Sequence, residues 1–171
     1  MRYVALWRGI NVGKAKRLAM ADLKALLEGL GATEVRTLLN SGNAVFDSPR
    51  KLGADRIRAA VRESLGVDAA VIVKTSAEWA AIAAPHGIAE ADDPSRLLVA
   101  VTADAASLKA AASLAVQGEE RFVVTRHAAY LWCAHGILQS KAGVALLKQL
   151  GDSGTTRNWA TVQKLQALLA G

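Results

Sequence analysis

Residues 8–14, Arg8-Gly9-Ile10-Asn11-Val12-Gly13-Lys14, set two glycines and an amide between two cations. Lys16 and Arg17 follow, and residues 8–17 contain no acid. Flexible backbone, exposed amides and concentrated positive charge are the materials of an anion site. The spacing excludes two familiar phosphate motifs. A P-loop needs four residues between its glycines and Ser or Thr after the lysine; here Gly9 and Gly13 enclose three, and Ala15 follows Lys14. No G-x-G-x-x-G dinucleotide fingerprint is present. The plainer alternative is a solvated basic loop whose glycines serve the turn.

Two further strings could carry chemistry. Asn40-Ser41-Gly42-Asn43 offers amides and a hydroxyl, or simple turn chemistry. Arg157-Asn158-Trp159 offers a bidentate anion donor, the amides of a following helix, and a ring able to stack on a base. Its alternative is a capping Asn158, a core Trp159 packed with Val162 and an exposed Arg157. Cys133, His135 and His127 could supply three metal ligands, but not at usual zinc spacing, so no metal site is expected. There is no G-x-S-x-G elbow and no recognisable catalytic dyad.

The elements that position these residues follow from periodicity. Residues 3–7, Tyr-Val-Ala-Leu-Trp, read as a strand covered on both faces. Residues 20–30 repeat Met20, Leu23, Leu26, Leu27 and Leu30 at helical spacing, and Gly31 stops them. Residues 35–39 and 44–46 form a hairpin around the turn at 40–43. A second helix starts near Ala54 and stops at Gly66, and residues 67–74 are a strand. This β-α-β-β-α-β order is the ferredoxin-like arrangement. Its first two strands run parallel, which places Arg8–Lys14 and Asn40–Asn43 at one edge of the sheet.

The second half repeats the theme. Thr75 and Glu78 form a capping box for a short helix through Ala84. Residues 97–101 are a strand, Asp104 caps a helix, and residues 122–125 and 130–134 form a hairpin. Ser140 caps a helix carrying Val144, Leu147 and Leu150. Residues 152–157 read as a polar loop leading to the last helix, with Asn158 at its start. The expected architecture is α+β, with two ferredoxin-like subdomains in tandem, residues 1–75 and 76–171, the second ending in an extra C-terminal helix. Trp7, Trp79 and Trp132 are expected in the core.

Composition bounds the class. The chain has 171 residues, 52% of them hydrophobic, and a mean hydropathy of +0.21, enough for a sizeable core. A net charge of +6 and a pI of about 9.8 fit nucleic acid, phosphorylated ligands or acidic partners alike. One cysteine excludes an internal disulfide, and the longest wholly apolar run, residues 128–134, is far short of a membrane span. A cytoplasmic location without a membrane partner is expected.

The strings RGINVG at 8–13, SGN at 41–43 and TTRNWATVQKL at 155–165, with GILQSK at 136–141, resemble the bacterial family designated only as a domain of unknown function, DUF1697. The chain departs from that pattern at Lys14, where a second glycine is usual, and at Ala160, where Asn is common. The resemblance implies two ferredoxin-like subdomains and no established activity. The residues themselves point to a binding module for an anionic partner, a nucleic acid or nucleotide, with no cofactor. The rival is an enzyme or sensor acting on a phosphorylated or carboxylated small molecule. The expected ligand-binding residues are Arg8, Asn11, Gly13, Lys14, Ser41, Asn43, Arg157 and Asn158.

Overall fold

A computed structural model describes residues 1–171. The chain divides into two compact units, Met1–Trp79 with Ala167–Gly171, and Ala80–Gln166. It is α+β, two ferredoxin-like subdomains in tandem with an added C-terminal helix.

The first unit runs β1 (Arg2–Trp7), α1 (Met20–Gly29), β2 (Thr33–Thr37), β3 (Asn43–Asp47), α2 (Ala54–Leu65) and β4 (Val71–Thr75). Its sheet has the order β2-β3-β1-β4, every neighbouring pair antiparallel. Alternation along β1 turns Tyr3, Ala5 and Trp7 toward a core with Phe46, Leu23 and Leu27 of α1, and Ile57 and Val61 of α2. Each such leucine is worth about 1.5–3 kcal/mol of burial. Tyr3 stacks on Phe46 at 5.6 Å. Arg2 and Asp47 lie opposite each other across β1 and β3 and pair at 2.8 Å. The alternate residues Val4, Leu6, Val45 and Ile72 are buried too, so the centre of this sheet is covered on both faces, while Glu34 and Arg36 of the edge strand β2 are exposed.

After β4, α3 (Ser76–Ile82) carries the chain from the first unit into the second, which holds β5 (Leu97–Thr102), α4 (Ala105–Ala111), β6 (Arg121–Val124), β7 (Ala129–Trp132), α5 (Lys141–Leu150), β8 (Gly154–Asn158) and α6 (Trp159–Ala170) as far as Gln166. The order β6-β7-β5-β8 repeats that of the first sheet. β8 corrects the loop expected over 152–157. Gly154, Thr155 and Arg157 are its buried positions, so a strand is hidden behind polar residues. Gly154 is required there, because a Cβ would stand 2.8 Å from the carbonyl of Val101. Leu150 faces the core as expected; Val144, also expected there, is exposed, and Ala142 and Leu146 take the core face. Trp7, Trp79 and Trp132 are buried. No helix is long and apolar enough to cross a membrane.

Candidate anion site

The edge of the first sheet is built by backbone bonds at the end of β1. The Trp7 N–H donates to Gly42 O at 2.9 Å, and the Arg8 N–H donates to Ala70 O at 2.9 Å. The loop after β1 thus lies beside the 40–43 turn, as two parallel strands require. Contact is close enough that Gly42, at φ +93°, could not carry a Cβ without meeting Ile10 Cδ1 at 2.7 Å and Trp7 Cβ at 2.9 Å.

Asn11 locks the two segments together. Its Nδ2 donates to Leu18 O and to Asn40 O, both at 2.7 Å, and its Oδ1 accepts from the Leu18 N–H at 2.8 Å. Its backbone takes the left-handed conformation, φ 55°, and its N–H donates to Lys16 O at 3.0 Å. Asparagine tolerates that region better than most residues. Asn43 is fully buried, with Nδ2 donating to Leu38 O at 2.7 Å and Ser41 Oγ at 3.0 Å. Both amides are therefore engaged with the protein's own groups, and they shape the edge.

What the loop leaves to solvent is charge. Lys14, Lys16 and Arg17 are exposed, as is Gly13, which has open space around it. Lys14 and Arg17 have no ion-pair partner. A cleft of about 330 Å³ lies among Asn11, Arg17, Leu18, Ala19 and Asn40. It opens at the first turn of α1, whose N-cap Ala19 has no side chain to accept from the leading amides. Arg8 is half-buried. Asp68 is held below the usual carboxylate range, first by its hydrogen bond with Arg58 and then by the charges of Arg58, Arg62 and Lys16. Arg17 and Lys16 were not among the expected ligand-binding residues, although four cations in ten residues is a signal for all of them.

Arg157 and Asn158 belong to the second unit. Arg157 is buried, with Nη1 donating to Thr155 Oγ1 at 3.1 Å and Thr156 O at 2.8 Å. Burial pulls its pKa down to about 10, which leaves it cationic at neutral pH. The exposed arginine of the plainer alternative is not what the structure has. Asn158 does cap: its Oδ1 accepts from the Thr161 N–H at 2.9 Å. Trp159 is half-buried rather than core, with the ring of His86 edge-on at 5.0 Å and Tyr130 at 6.1 Å. Burial pushes the Cys133 thiol up, and no cluster of three His, Cys, Asp or Glu stands ready for a metal.

The family model described as "Protein of unknown function (DUF1697)" matches residues 1–130, which include the Arg8 loop and the 40–43 turn. No curated protein matches the chain. Among solved structures, the conserved bacterial protein SP0830 from Streptococcus pneumoniae is similar over 98% of each chain, with a TM-score of 0.75 and 19% identity. That likeness concerns the fold alone.

Proposed function

The chain belongs to the DUF1697 family, whose function is unknown, and from that premise we propose that it is a binding module for an anionic partner, single-stranded nucleic acid first. The observation that carries the reading is the Asn11-braced loop, which presents Lys14, Lys16 and Arg17 beside a polar cleft. Charge distribution supports it. The first unit holds 13 Lys and Arg against 8 Asp and Glu, net +5; the second holds 8 against 7, net +1. The closed sheet disfavours stacking of bases on strands, the mode of many RNA-binding ferredoxin-like domains. Contact through the loop and phosphates fits better. The cleft's lining contains no general base or nucleophile, which favours binding over catalysis.

Anisotropy of a labelled single-stranded oligonucleotide, titrated at several salt concentrations, tests this. Binding should weaken steeply with salt, and each of Lys14→Gln, Lys16→Gln and Arg17→Gln should flatten the log–log slope by about 0.7. No binding at low salt ends the reading. The size of the cleft, at the lower limit for small-molecule pockets, favours a second form: a single nucleotide or other phosphorylated small molecule. A thermal-shift panel of nucleotides and sugar phosphates separates the two, since a ligand at a hundred times its Kd adds about 2.7 kcal/mol.

A further inference from the structure

We propose a second anion site at the other end of the first sheet, a small cavity that takes the phosphate group of a phosphomonoester. The cavity holds about 180 Å³ and is lined by Leu30, Ser48, Arg50, Lys51, Leu52 and Arg56. Three of these six residues are cations, and the wall contains no carboxylate. None of the three has an ion-pair partner. Asp55, the acid in the first turn of α2, is not part of the lining.

The local structure is held without drawing on those charges. Ser48 Oγ donates to Arg50 O, and the Ser48 N–H donates to Met1 O at 2.9 Å, so the turn after β3 is fixed without any of the three cationic side chains. Leu52 is buried and forms apolar wall beside the charges, which strengthens any electrostatic contact made there. α2 begins at this point, and its N-cap Gly53 offers no side-chain acceptor to the first-turn amides. Three like charges around one small space repel one another, and nothing in the fold uses them. A compact dianion with several acceptor oxygens relieves that repulsion. About 180 Å³ accommodates a phosphate group, and the remainder of a larger ligand extends toward solvent.

The cavity is distinct from the Arg8 loop. It lies at the Arg2–Asp47 end of the β1–β3 pair, whereas the loop follows Trp7, about 20 Å away along a six-residue strand. The same phosphate chemistry could come from a free phosphomonoester or from the terminal phosphate of a strand.

The test is titration of the full chain with inorganic phosphate, followed by phosphorus NMR and calorimetry at low salt. The double variant Arg50→Gln/Arg56→Gln should weaken binding at least tenfold and leave the melting temperature unchanged, because both side chains are exposed. Lys14→Gln/Arg17→Gln should bind phosphate here as wild type does. No phosphate binding at millimolar concentration, or equal binding by Arg50→Gln/Arg56→Gln, overturns the proposal. Loss of binding only in Lys14→Gln/Arg17→Gln also overturns it, while leaving the loop reading intact. If the site holds, oligonucleotides with and without a 5′-phosphate identify the source. A preference for the phosphorylated strand that vanishes in Arg50→Gln/Arg56→Gln assigns a strand end. Equal affinity for both strands, with inorganic phosphate still bound, assigns a free phosphomonoester.

Discussion

The two units share a strand order and differ in how their helices begin. In the second unit, Asp104 accepts from the Ser107 N–H, Ser140 from the Gly143 N–H and Asn158 from the Thr161 N–H. In the first, α1 and α2 begin at Ala19 and Gly53, and neither has a side-chain cap. The charges divide in the same way, net +5 against net +1. One βαββαβ arrangement thus comes in two versions. The second satisfies its helix starts internally. The first leaves amides open beside unpaired cations, at Arg17 for α1 and at Arg50, Lys51 and Arg56 for α2. An anion bound as proposed would supply what a cap otherwise supplies.

The largest effects should come from two glycines. Gly154→Ala forces a Cβ to within 2.8 Å of a backbone oxygen, and Gly42→Ala adds a crowded Cβ to a left-handed backbone. Each should cost about 2–4 kcal/mol in urea denaturation. Their binding should diverge: Gly42→Ala disturbs the Arg8 loop and lowers anion affinity, whereas Gly154→Ala leaves the affinity of the folded fraction unchanged. Equal loss in both would break the distinction between the units.

Asn11→Ala comes next, at about 2 kcal/mol, since it strands the hydrogen-bonding groups of Leu18 and Asn40. It keeps every cation, yet should lower oligonucleotide affinity because the loop is no longer braced. Full affinity would mean that charge alone matters.

The caps sharpen the comparison at about 1 kcal/mol. Ser140→Ala should lose about that much. Ala19→Asp gives α1 the cap it lacks and should gain about as much. The same carboxylate occupies the amides and charge proposed for the ligand, so affinity should fall as stability rises. Ala19→Asp with unchanged affinity would remove α1 from the site.

How much of this was legible in the sequence depended on whether a residue's partner is local. Thr75–Glu78, Asp104, Ser140 and Asn158 cap as their spacing predicts, because a cap reaches only three residues ahead. The meeting of the Arg8 loop with the 40–43 turn followed from topology. Asn11 and Asn43 read as ligand groups because nothing in their neighbourhood reveals that both amides turn inward to carbonyls. β8 was missed because Thr155 and Arg157 carry the alternation that apolar residues usually show. The α2 cavity shows in the sequence as Arg50 and Lys51 before a glycine N-cap, with Arg56 one turn later.

The smallest effect should separate the units by pH. All three histidines lie in the second unit, so the charge of the first stays fixed where histidine titrates. His86 is half-buried, its Nδ1 accepts from the Ile88 N–H at 3.0 Å, and burial holds its pKa below the ordinary histidine value. The folded protein therefore takes up this proton less readily than the unfolded chain. Above about pH 6.5 both states are neutral at this site and it has no effect on stability. As pH falls below that value the unfolded state is protonated first, so stability declines until the folded-state pKa is passed. Protonation also removes the acceptor for the Ile88 N–H. Urea midpoints at pH 7.5 and pH 5.5 should differ in wild type, and His86→Gln should shrink that difference. Anion affinity at the Arg8 loop should be unaffected by His86→Gln at either pH. An undiminished midpoint difference in the variant would assign the pH response to other groups.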